Sequence, residues 1–190
     1  MTVVITTVGT SIFSNYLSEK SIDDWKMIGR SEDNLRLDLF AESFRKLENV
    51  TYTSDNSTQY SVQSNHLKTL MCESSGLIPI LVNEFNTTSD SENQVKIQTM
   101  LELASAEISS LIKISREVSL PLAVYFICTE TILSKLAVDL ITQILQQIKS
   151  IIPEAKRIDI EEPKIIRGLV LDNYEAFREH GEPLLIETIM

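Results

Sequence analysis

Three short polar segments of this chain combine residue types that can hold an anion. The first is Gly9-Thr10-Ser11, directly behind the β-branched run VVITTV (Val3–Val8). A glycine turn that opens a helix offers unpaired backbone N–H groups and a partial positive charge, which together suit phosphate. Two consecutive hydroxyls add hydrogen-bonding capacity without net charge. The plainer reading of Thr10 is an N-cap. The second segment is Cys128-Thr129-Glu130-Thr131, again a short polar stretch behind an apolar strand and ahead of an amphipathic helix. The carboxylate of Glu130 argues against direct phosphate contact and suits a base edge, a ribose or solvent. The third is the loop holding Lys164, Arg167 and Gly168, whose cations can balance charge on a phosphate. Its plain alternative is solvated surface charge.

Other chemistry finds little support. His66 and His180 have no partner at triad or metal spacing, and Trp25 reads as a packing residue. There is no HExxH, GxSxG, DxDxDG, GxGxxG or GxxxxGK[ST], so zinc hydrolysis, a nucleophile elbow, an EF-hand, a dinucleotide cofactor and a P-loop are unsupported. No cofactor and no metal are expected.

The elements that must position these segments follow from hydrophobic spacing. Val3–Val8 reads as a buried strand that stops at Gly9, with Ile12, Phe13, Tyr16 and Leu17 opening a helix. Leu37, Phe40, Ala41, Phe44 and Leu47 place a helix over about 33–47. Thr51–Asn65 is almost free of aliphatic residues and reads as a loop or hairpin. Leu67–Met71 suggests a further helix closed by Gly76. Leu77–Val82 reads as an edge strand, demoted by Pro79. One helix is expected from Val95 to about Glu117. Leu122–Cys128 reads as a strand buried on both faces. Thr129 would cap the next helix, whose dense stripe runs from Ile132 to Ile148. A short strand at Arg157–Ile160, a Pro163–Gly168 loop and a helical end from about Asn173 complete the chain. Two strand–turn–helix units indicate an α/β protein: a Rossmann-like open, mostly parallel sheet flanked by helices, in one domain over 1–190. Residues 18–90 read as a polar helical and loop insertion, or a lid.

Composition narrows the partners. The 190 residues carry a net charge of −10, against a basic coat for duplex nucleic acid, and 43% hydrophobic content excludes global disorder. The two cysteines, Cys72 and Cys128, form no CxxC and fit a reducing compartment. With no signal-peptide pattern and no apolar run of spanning length, a cytoplasmic protein away from membranes is expected.

Four segments together resemble the CRISPR-associated Rossmann fold (CARF) domains, the group of ring nucleases and type III CRISPR effector sensors. They are Val4–Phe13 (VITTVGTSIF), Ser105–Leu111 (SAEISSL), Val124–Ala137 (VYFICTETILSKLA) and Ile166–Gly181 (IRGLVLDNYEAFREHG), the last ending in Phe-x-x-x-Gly. The resemblance implies a homodimer binding a cyclic oligoadenylate, with cyclic tetra-adenylate the preferred ring. It implies ligand contacts from Gly9, Thr10, Ser11, Cys128, Thr129, Glu130, Thr131, Arg167 and Gly168. It further implies metal-independent cleavage by ribose 2′-hydroxyl attack, with Ser11, Thr10 and Lys164 in catalytic roles. No arginine is followed by histidine at the Arg-x4-His spacing of the common RNase output domain. The alternatives are a CARF sensor without turnover and, outside the family, a general nucleotide-binding α/β protein.

Overall fold

In the computed structural model, residues 1–17, 36–53, 58–166, 175 and 177–189 are described. Strand β1 (Thr2–Thr7) leads through Gly9 into the six-residue helix α1 (Ser11–Tyr16). Helices α2 (Leu37–Leu47), α3 (Ser61–Cys72), α4 (Leu77–Thr87), α5 (Ser91–Glu102) and α6 (Ala106–Glu117) follow. Strand β2 (Leu122–Thr129) then precedes the long helix α7 (Ile132–Ile148). A 3₁₀ turn (Pro153–Arg157) leads to strands β3 (Ile158–Ile160) and β4 (Lys164–Ile166). A π-helical turn (Phe177–Gly181) and α8 (Glu182–Ile189) complete the described chain. The architecture is α/β, with a parallel sheet flanked by helices as expected.

The sheet has β2 at its centre. Thr2–Thr7 pairs in parallel with Leu122–Ile127 on one side. On the other side Leu122–Val124 pairs with Ile158–Ile160, and Ile127–Thr129 with Lys164–Ile166. Strands β3 and β4 therefore share one lane. Between the Val124–Ile160 and Ile127–Lys164 pairs, β2 advances three residues while this lane advances four. The extra residue is a bulge at Glu161–Pro163, where the Glu161 amide still donates to the Val124 carbonyl at 2.9 Å.

Burial follows from lane position. At the start of β2, Leu122, Ala123 and Val124 are all buried, and burial then alternates towards Thr129. Among the described strands β1 pairs with β2 alone, and its burial alternates throughout: Val3 is 55% and Ile5 39% exposed, while Val4 packs against the core. The first strand, expected to be buried, is thus half-buried. A β-branched run does not distinguish an edge lane from a central one.

Helix α7 buries every residue of its expected stripe, from Ile132, Leu133, Leu136 and Ala137 to Ile148. Its partners include α3 and α4, so Leu67, Met71, Ile78 and Leu81 from the segment read as an insertion join the common core. Phe13 packs on Phe44 with ring centroids 5.6 Å apart, and Tyr16 stacks on Phe40 at 3.9 Å, tying α1 to α2.

Several expected elements differ. Leu77–Val82 lies in helix α4, because the apolar spacing continues through Phe85 and Pro79 is its third residue, where a missing N–H removes no intrahelical bond. Helix α3 begins at Ser61, so the last five residues of the expected Thr51–Asn65 loop are helical. The single helix over 95–117 is two, divided where Ser105 caps α6 by accepting from the Ile108 amide at 3.1 Å. Lys164–Ile166 is a strand and not part of a loop. The start of helix 33–47, Trp25, Asn173, Arg167 and Gly168 lie outside the described residues.

Gly76 has a steric role. A Cβ there would stand 2.6 Å from the Thr69 carbonyl oxygen and 2.8 Å from that of Glu73, both backbone atoms. Gly76→Ala should cost about 1–3 kcal/mol of stability, read as a lower urea midpoint at unchanged slope. A Cβ at Gly9 meets only Glu107 Oε1 at 3.5 Å, an ordinary contact. Gly9→Ala should therefore leave the midpoint almost unmoved.

Candidate functional site

The β1–β2 register decides how the polar turns are placed. Thr7 stands beside Ile127, and the ladder runs one bond further as the Val8 amide donates to the Ile127 carbonyl at 3.1 Å. Adjacent strands lie about 4.8 Å apart. Both turns therefore emerge at the carboxyl end of the sheet, the Gly9–Ser11 turn beyond β1 and the Thr129–Thr131 turn beyond β2. Open α/β sheets bind their ligands at that rim.

The first turn already holds a carboxylate. Glu107, in the first turn of α6, accepts from the Gly9 amide through Oε1 at 2.8 Å and from the Ser11 hydroxyl through Oε2 at 2.6 Å. The Ser11 oxygen in turn accepts from the Ala106 amide at 3.2 Å. Half-burial alone would raise the Glu107 pKa. Hydrogen bonds, those from Ser11 and Gly9 foremost with its own backbone and Ser105 adding to them, together outweigh it and hold the carboxyl below the ordinary glutamate value. Thr10 is at the N-cap position of α1, but its exposed hydroxyl makes no capping bond. Its carbonyl closes the turn instead, accepting from the Phe13 amide at 3.0 Å.

The second turn is also satisfied from within the protein. Thr131, and not Thr129, caps α7, its Oγ1 accepting from the Ser134 amide at 3.2 Å. Ser134 answers by accepting from the Thr129 amide at 3.2 Å, and the two threonine hydroxyls meet at 3.1 Å. Thr129 ends the strand two residues too early to cap. A short strap, Val50–Tyr52, lies across the turn. Tyr52 donates its amide to the Glu130 carbonyl at 2.6 Å, Ile132 donates to the Val50 carbonyl at 2.9 Å, and Thr51 bridges Thr131. Lys135 fixes the strap from the side, its Nζ 4.1 Å from the centre of the Tyr52 ring.

The remaining predicted residues are less closely grouped. Cys128 is 1% exposed, and burial pushes its thiol up to about 11, so it is inert packing. Lys164 pairs with Ile127 on the far side of β2, two lanes and about 10 Å from Thr7. The structure therefore brings Gly9, Thr10 and Ser11 beside the Thr129–Thr131 turn and sets Lys164 apart from them. Two groups escaped the sequence reading, Glu107 and the Val50–Tyr52 strap. SAEISSL does carry a helix-capping signal at Ser105, but nothing local shows that Glu107 reaches a turn 96 residues earlier.

Beside Glu107 is an open cleft of about 190 Å³ between β1 and α6, lined by Val4, Thr6, Ser110, Leu111 and Ile114. Among the described residues no cluster of His, Cys, Asp or Glu could hold a metal ion, and no helix is long and apolar enough to cross a membrane. The chain matches no known protein-family pattern and no curated protein.

Because its pKa is depressed on folding, Glu107 stabilises the fold above the unfolded glutamate pKa, and that contribution is lost as pH falls through the lower folded value. At pH 7 Glu107→Gln should cost about 1 kcal/mol, since the carboxylate is only half-buried. The gap to wild type should close below about pH 4. Urea unfolding at pH 7, 5 and 3 measures it, and a gap persisting at pH 3 would locate the effect in packing rather than charge.

Proposed function

We propose that this chain is a CARF-type protein that binds a cyclic oligoadenylate, cyclic tetra-adenylate being the preferred ring, across a two-fold homodimer. In this reading it also degrades the ring slowly and so switches off type III CRISPR signalling. The reading draws on the four-segment resemblance. The observation that carries it is the side-by-side emergence of the Gly9–Ser11 and Thr129–Thr131 turns from adjacent parallel strands. A two-fold axis over this rim would present two copies of each turn to a symmetric ring.

Cleavage would proceed by attack of a ribose 2′-oxygen on the adjacent phosphorus. The 2′-hydroxyl gives up its proton to solvent, the 5′-oxygen leaves as a hydroxyl by taking a proton from solvent, and the 2′,3′-cyclic phosphate retains both vicinal oxygens. The protein would hold the attacking and leaving oxygens in line, with Ser11 and Thr10 donating to the phosphoryl oxygens. Lys164, two lanes from Thr7, would reach the ring from the other side of β2 and balance charge on the scissile phosphate.

A second reading, a sensor that binds the ring without turnover, is favoured by the Ser11–Glu107 bond. A hydroxyl has one proton, and while Glu107 accepts it Ser11 cannot donate to a phosphorane.

Incubating the protein in excess with cyclic tetra- and hexa-adenylate in EDTA separates the readings. Linear products ending in a 2′,3′-cyclic phosphate are expected, and Ser11→Ala should slow their formation about 10- to 100-fold. Bound but intact rings would leave the sensor, and rings that fail to bind would remove both readings.

A further inference from the structure

We propose that Glu107 is a built-in competitor of the anionic ligand at the Gly9–Ser11 turn, and that its displacement by a ligand phosphate frees the first turn of α6. The inference rests on reading that turn as a contact for the ring. A carboxylate and a phosphate present the same pair of acceptor oxygens. Here Oε1 takes the Gly9 amide and Oε2 takes the Ser11 hydroxyl, so both donors are engaged by one internal anion. A phosphate reaching either donor meets an occupied site and a like charge. Glu107 has somewhere to go, because its side chain lines the open cleft beside Thr6 and Ser110. There a rotated carboxylate would remain solvated.

The same hydroxyl links the turn to the helix. Ser11 Oγ accepts from the Ala106 amide while donating to Glu107, so swinging the side chain towards a phosphate gives up both bonds to α6. The far end of α6 is held independently. Ser115 donates to the Glu154 carbonyl at 3.0 Å, Arg116 pairs with Glu102 and Glu154, and Arg157 donates to the Val118 and Ser115 carbonyls. Displacement therefore removes the two Ser11 bonds at the first turn of α6, leaving it to the Ser105 cap on the Ile108 amide, and leaves its last turn in place. Competition also lowers apparent affinity by the fraction of time the turn is open. A turn open one-tenth of the time binds about tenfold more weakly than an open one.

The test titrates cyclic tetra-adenylate into wild type, Glu107→Gln, Glu107→Ala and Ser11→Ala, each first checked for cooperative urea unfolding. Both Glu107 variants should bind about tenfold more tightly and Ser11→Ala more weakly. In wild type, ligand should speed amide hydrogen exchange over residues 106–110 but not over 114–117. Unchanged or weakened binding by both folded Glu107 variants overturns the proposal. A parallel titration with inorganic phosphate follows the Gly9 amide resonance and does not depend on the ring. A shift at about tenfold lower phosphate in Glu107→Ala upholds the competitor even if no variant binds the ring. Equal phosphate responses in wild type and Glu107→Ala, where no ring binds, overturn it together with the ring reading.

Discussion

Two parallel strands cannot be joined by a hairpin; the chain must leave the sheet, cross over and return at the same end. Here that constraint is extreme. Strand β2 pairs with β1 along all six residues of β1, yet residues 8–121 lie between them, and those residues hold helices α1 to α6. Most of the helical layer is therefore one crossover connection. Its packing on α7, which returns directly from β2, lets Leu67, Ile78 and Leu81 share a core with Ile141 and Ile144. The register in turn brings Gly9–Ser11 beside Thr129–Thr131. Without that ladder neither the core nor the rim would exist in this form.

At the rim, several of the donors that face the end of the sheet are paired within the chain. Glu107 answers the first turn, and the Val50–Tyr52 strap with Ser134 answers the second. Glu107 and the strap both come from the crossover, and Ser134 from α7. An incoming anion would thus exchange bonds rather than fill empty ones, so occupancy of the rim and position of the crossover are linked. That linkage is the physical content a sensor needs: a ligand shifts a conformational equilibrium only by binding its states unequally.

The parts legible in the sequence were those with long, unambiguous periods. Helix α7 declares itself because nine apolar residues recur on one face over 17 residues. Strand β2 and the turn after β1 were readable from apolar runs stopped by polar or glycine residues. Helix α4 was not, since Leu77–Val82 is too short an apolar run to separate strand from helix and Pro79 suggested an edge. The division at Ser105 was hidden because no glycine or proline marks it. At the site, the polar turns were visible as local patterns. Their occupants were not, because Glu107 and Val50–Tyr52 meet them only through the tertiary fold.

The order of synthesis gives the exposed face of β1 another meaning. Val3–Val8 is an uncharged, β-branched run of the kind that pairs readily with other extended chains, and it is made well before β2. At typical translation speeds the intervening crossover takes on the order of ten seconds to produce. For that interval the strand has neither its ladder partner nor the α6 residues Leu111 and Ile114 that line a cleft with Val4. The helices made meanwhile, packed through Phe13, Phe40 and Phe44, are what can hold the growing chain compact until Leu122 arrives. The aromatic contact between α1 and α2 is open to the chain throughout that interval, because both helices precede β2.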